Sequence, residues 1–434
     1  MASAPAAAPA ARPLATALPV TGMGPSDAMP PFRLPGAHFA VALAWLGIGS
    51  ACLTLLAPRL ARGAWLGPEA AAVAHCFTLG WLVTSAYGTL YQLGPVAMAV
   101  EARSVPAGLV TLALHTAGVA LVVLGLGGWV PGLIGAGWLL VVAGLALWTW
   151  NVGARLGATA RAPRIGYTVL AAFAMLWLGI AVAGARIGNV LGWWMVPREA
   201  LVAVHVQLSA LGFGTLLVMG IGSRLLPMFL LSRTAPEWPV QWSAPLTAAG
   251  VLLQSAGWLG GGRALVAGGG LVAALGVGLL LLQAWYWYRH RARPQLDPSL
   301  RQVAVALAFL GAAAATGLAA TFAGGSRLLA GYGLLLIVGW LGLLITAIYA
   351  RIVPFLTWMH RYSGRVGEKG LPRVGDLVPV RWVRVASGAW MAGVATLSVG
   401  VLAGLPGLAL AGAVCFAIGT TISLGLYTRL ALHP

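Results

Sequence analysis

Two imidazoles and the polar groups aligned with them are the side chains best suited to chemistry in this sequence. His75 opens the apolar run HCFTLGWLVTSAYGTLYQLGPV, and His205 with Gln207 opens HVQLSALGFGTLLVMGIGSRLLPMF. A third run, YGLLLIVGWLGLLITAIYARIVPF, starts with Tyr332. An ionisable group inside an apolar segment long enough to cross a bilayer is costly and marks a functional position by default. Neutral imidazole is the usual protein ligand for haem iron and also suits copper. His75 and His205 are therefore the candidate metal ligands, and Gln207 and Tyr332 are candidate cofactor contacts at the same depth. The competing reading of either imidazole is a hydrogen bond to the carbonyl of a neighbouring helix. That competing reading is preferred for His115, which sits in mid-run. His38 and His360 fall at run ends and are expected at the interface, and His290 and His433 in basic, solvated stretches.

The three runs share one register. Gly80, Gly212 and Gly339 are each followed by an aromatic residue (Trp81, Phe213, Trp340), and eight residues after the glycine by a small one (Gly88, Gly220, Ala347). Proline follows fifteen residues after the glycine (Pro95, Pro227, Pro354), preceded at three residues by Gln92, Arg224 and Arg351. In that frame Gln207 takes the place of His75, and Tyr332 takes the place of His205. Small residues two helical turns apart let a second helix approach closely. Arg224 and Arg351 are expected to snorkel to headgroups or cap the last carbonyls before a proline stop. Binding of an anionic group is the alternative for both.

The elements that position these groups are membrane helices. The chain is 60% hydrophobic and 8% charged, far from the roughly 45–50% and about 25% of soluble domains. The expected fold class is all-α, a polytopic membrane protein of about twelve spans in three four-helix units. The spans are read at 37–57, 70–97, 105–127, 130–150, 165–186, 199–231, 242–260, 263–287, 300–323, 327–357, 381–403 and 405–430. The repeat divides the membrane domain, 36–432, into units at about 37–150, 165–287 and 300–430. Residues 1–35, rich in Ala and Pro and without a continuous apolar segment, are expected to be a disordered cytoplasmic tail.

Basic residues outnumber acidic ones 26 to 8, but they stand singly beside spans, which excludes a nucleic-acid surface. The loops after odd-numbered spans hold only Arg59, Arg62, Arg186, Arg198, Arg263 and Arg327. By the positive-inside rule both termini are expected in the cytoplasm, in a bacterial inner membrane. His75 and His205 then lie toward the extracytoplasmic side. Cys52, Cys76 and Cys415, an odd set in apolar runs, indicate no disulfide framework. No Asp or Glu lies deep in a span, which argues against a carboxylate proton relay.

Twelve spans in three units, with histidines on spans 2 and 6, resemble subunit I of the haem–copper oxidase and nitric-oxide reductase superfamily. The stretches HVQLSALGF…LLP and HCFTLGW…GP also look like the NnrS family of haem- and copper-containing membrane proteins, whose spans carry His-x-His, Gly-aromatic and a proline fifteen residues after the glycine. Here Gln207 replaces the second histidine of one motif, and only His75 remains of the other. The resemblance implies that His75 corresponds to a low-spin haem ligand and His205 to a copper ligand. Spans 7 and 10 have no histidine, so it does not extend to an oxygen-reducing centre. It implies haem b, copper less strongly, and a redox partner subunit or cytochrome, serving respiratory or nitric-oxide-related chemistry. The alternatives are a cofactor-free scaffold or assembly subunit, or a transporter.

Overall fold

The computed structural model describes residues 30–98, 100–156, 163–232, 235–292 and 294–432. Most of the expected N-terminal tail lies outside them. Twelve membrane-length helices without a strand make up the fold among the described residues. They are α1 (Arg33–Ala61), α2 (Pro68–His75, Cys76–Val83 and Thr84–Met98 in one continuous rod), α3 (Val105–Gly127), α4 (Pro131–Trp148, extended by Thr149–Gly153), α5 (Pro163–Val190) and α6 (Arg198–Val206, Gln207–Thr215, Leu216–Leu230). Then follow α7 (Trp238–Ala256, extended by Gly257–Gly261), α8 (Arg263–Arg289), α9 (Pro298–Ala323), α10 (Ser326–Leu334, Leu335–Gly342, Leu343–Tyr362), α11 (Val380–Ala403) and α12 (Pro406–Leu432). Eleven are long and apolar enough to cross a membrane. The exception is α7, which carries Gln241, Gln254 and Ser255. The chain is a multi-pass helical membrane protein.

The packing repeats every four helices. The last two helices of each set form a tight hairpin: α3 with α4, α7 with α8, α11 with α12. With no hydrophobic drive between helices in lipid, close approach of backbones has to supply the contact energy. At the α3–α4 crossing a Cβ on Gly118 would stand 2.8 Å from the Gly137 carbonyl oxygen. The first helix of each set packs on the second, α1 on α2, α5 on α6 and α9 on α10. It also meets the last helix of the preceding set, so that α1 touches α12, α5 touches α4 and α9 touches α8. The result is a ring closed on itself around three inner helices. In α2, α6 and α10 the most apolar windows are 72%, 61% and 72% buried, against 33–50% in the other spans.

Each inner helix contains a π-helical segment: Cys76–Val83, Gln207–Thr215 and Leu335–Gly342. Such i→i+5 turns are rare and cluster at functional sites. All three include the aligned glycine and aromatic residue. The segment of α10 touches those of α2 and α6, and Trp340 Nε1 donates to Thr215 Oγ1 at 3.1 Å. In α2 the Leu79 carbonyl accepts from Thr84 Oγ1 at 3.3 Å and from a ring N–H of His115 at 3.0 Å. His115 thus ties α3 to the widened turn. The paired small residues face the first helix of their set: Gly80 and Gly88 lie against Trp45 and His38, Gly212 and Gly220 against Met175 and Val169.

Three expectations change. Pro95, Pro227 and Pro354 lie inside helices, which run on to Met98, Leu230 and Tyr362; proline is tolerated inside membrane helices and does not stop them. His38 is fully buried, its ring N–H bonded to the Leu34 carbonyl at 2.8 Å and its ring in a T-shaped contact with Tyr91, because α1 packs against Gly88 of α2 at this level. Arg351 forms an ion pair with Asp297, at the start of α9.

Candidate functional site

The inner helices surround a cavity of about 1470 Å³, lined mainly by apolar residues and including His75, His205, Gln207, Tyr332 and Arg351. His75 ends the first α-helical stretch of α2, one residue before its π segment, and His205 is the penultimate residue of the first stretch of α6, two residues before its π segment. Their rings are 6.0 Å apart between centroids and 17° from parallel. The Nδ1–H of His75 donates to the Ala71 carbonyl at 2.7 Å, and that of His205 to the Gly179 carbonyl of α5 at 2.8 Å. Both tautomers are thereby fixed, and each Nε2 keeps its lone pair. Among the described residues neither Nε2 has a hydrogen-bond partner, and both half-buried rings border the cavity. A carbonyl or carboxylate on the far ring nitrogen is the usual outer support of a metal-bound histidine.

Tyr332, buried, donates its hydroxyl hydrogen to Gln207 Oε1 at 3.0 Å. The three aligned positions at the heads of α2, α6 and α10 therefore meet in one chamber. Arg224 does not: it is exposed and borders no part of the cavity. Arg351 lines the opposite end, where its guanidinium pairs with Asp297 and lies 4.8 Å from the Phe229 ring centre. Asp297 also caps α9, its Oδ1 accepting from Leu300 N–H at 3.1 Å. At the end nearer the imidazoles the lining residues Arg198, Glu199, Arg263 and Trp129 are exposed. The far end is bordered by Arg351 and Phe229, with Asp297 paired to the guanidinium.

Among the described residues no three His, Cys, Asp or Glu side chains come together as a metal site. A closed tetrahedral site of protein ligands is thus not built here. Two imidazoles with free Nε2 atoms suit a metal that brings its other ligands with it, or one content with two. The 6.0 Å between the ring centroids leaves room for one metal ion reached by both imidazoles. Imidazole donors beside a large apolar cavity are of the type that holds the iron of a porphyrin.

The rim residues Arg186, Arg198 and Glu199 were not singled out by sequence reasoning. A signal was present: Arg186 and Arg198 belong to the six basic residues on the side where basic residues are scarce. No protein-family model matches the chain, and no curated protein matches it.

Proposed function

We propose that this protein holds a b-type haem between His75 and His205, in the chamber walled by its three inner helices, and serves membrane redox or nitric-oxide-related chemistry. The observation that carries the reading is the facing pair of imidazoles, tautomers fixed by backbone carbonyls and both Nε2 lone pairs free beside a large apolar cavity. When bound, the iron supplies one-electron chemistry between its ferrous and ferric states. His75 and His205 would hold that iron, and with both imidazoles engaged the site would suit electron transfer. In the resembling oxidases the low-spin haem bridges helices 2 and 10; this site bridges α2 and α6. Tyr332 and Gln207 orient one another beside it, and the apolar wall excludes water. On the positive-inside argument the imidazole end of the chamber faces the outer side of a bacterial cytoplasmic membrane, with both termini cytoplasmic. A redox subunit or cytochrome would dock there.

The test is the optical spectrum of protein purified in detergent after haem-replete expression, with a pyridine haemochrome assay and copper analysis. A low-spin b-type spectrum supports the reading. Copper without porphyrin would mean that the pair holds copper(I) alone, and neither would sink both versions. One feature, a large chamber with exposed residues at one end and an ion pair at the other, favours a transport reading instead. Substrate uptake into proteoliposomes by protein free of porphyrin would favour it.

A further inference from the structure

Two arginines stand over the imidazole pair at matching heights. Arg198 precedes His205 by seven residues within the unbroken helix Arg198–Val206. Arg186 follows Gly179, whose carbonyl fixes His205, by seven residues within Pro163–Val190. Seven residues are two helical turns, about 10 Å, and return to nearly the same face. Since α5 and α6 run in opposite directions, both arginines lie at the same end of the chamber. Both line it, as does Arg263 at the head of α8. Arg186 and Arg198 are close enough for their like charges to act on one another. Neither forms an ion pair with a carboxylate among the described residues, although Glu199 is adjacent in sequence. Arg198 donates one N–H to the Leu66 carbonyl, which holds the side chain across the rim and leaves donors of its five for a ligand. Like charges at the mouth of a low-dielectric chamber, without a counter-ion, repel one another until an anion arrives.

We propose that Arg186 and Arg198 bind the acid groups of a ligand whose apolar body fills the chamber, so that the site selects a dianionic amphiphile. This rests on the porphyrin reading above and names its selectivity. The two helical turns, about 10 Å, that separate the backbone of Arg198 from that of His205 are comparable to the reach from the centre of a porphyrin to the ends of its two propionate chains. Arg263 adds a third positive charge to the rim.

Purified protein, stripped of any bound chromophore, is titrated with iron protoporphyrin IX and separately with its dimethyl ester, and the Soret shift is followed. The expected result is tenfold or more tighter binding of the diacid. Arg186→Gln with Arg198→Gln should erase that difference and leave ester binding unchanged. Arg198→Lys should retain part of it, and its elution and melting profile check folding. Equal affinity of the wild type for diacid and ester overturns the inference while the porphyrin reading stands. A Soret shift with neither compound overturns both. An anionic phospholipid that co-purifies with wild type, departs with the double glutamine substitution and blocks the diacid would overturn it in favour of a lipid headgroup.

Discussion

The hydroxyl of Tyr332 donates to Gln207 Oε1 at 3.0 Å, joining α10 to α6 beside the imidazole pair. Tyr332→Phe keeps the ring and removes the donor, leaving the Gln207 oxygen in a largely apolar chamber without it. The expected loss is about 1 kcal/mol of stability, within the range for a hydrogen bond whose partner stays behind. Thermal unfolding in detergent measures it. Gln207→Leu with Tyr332→Phe should recover part of the loss, because both partners then become apolar.

His75→Ala and His205→Ala are not expected to behave alike. If the pair holds haem as proposed, either should change the optical spectrum of the bound haem or abolish binding. His205→Ala in addition leaves the Gly179 carbonyl of α5 without its ring donor. Its melting temperature should fall further than that of His75→Ala, whose Ala71 carbonyl lies within its own helix. Equal melting temperatures would mean that the α5–α6 bond contributes nothing.

Asp297 does two things at once, pairing with Arg351 and capping α9. Asp297→Asn removes the charge but keeps a good cap. Given the partial exposure of both side chains, it should cost no more than about 1 kcal/mol. Asp297→Ala loses the cap as well and should cost about 1 kcal/mol more. If the pair latches the far end of the chamber, both variants should also speed access of a water-soluble thiol reagent to a cysteine placed at Phe229. Labelling rates identical to those of the single cysteine protein would count against the latch.

A Cβ at Gly80 would stand 2.6 Å from the Trp45 ring, close to where that ring joins its own backbone. Gly80→Ala should therefore destabilise by about 1–3 kcal/mol, the range for overpacking. Gly268 in α8 has nothing within 4 Å of such a Cβ. There the same change removes a flexible residue from a helix and should be neutral or slightly stabilising. Melting curves of the two variants side by side decide the matter.

Much of this was legible before any coordinates. Apolar runs of membrane length gave the helices, because a span needs only length and low polarity. The Gly-aromatic-small-proline register picked out α2, α6 and α10, and it aligned Tyr332 with His205 although the residue types differ. Other features could not be read there. The π segments consist of ordinary apolar residues, and an i→i+5 turn depends on side chains such as His115 and Thr84 meeting the Leu79 carbonyl. The Arg351–Asp297 pair joins positions 54 residues apart on different helices, and a lone aspartate before a proline reads as a cap. His38 was misplaced because its position at a helix start suggested an interface, whereas the packing of α1 against Gly88 of α2 covers it.

The widened turns also set the rotational phase of the inner helices. An α-helix advances about 100° per residue, so a single added or missing residue swings everything on one side of it by more than a quarter circle. An i→i+5 turn absorbs about one residue, so winding Cys76–Val83 as an ordinary α-helix, with no residue removed, would turn one half of α2 by about that much relative to the other. Its lower half could stay seated against α1, but the ring of His75 would rotate toward the neighbouring wall, away from His205. The alignment of the two imidazoles is in this sense a matter of reading frame within the helix as much as of residue identity.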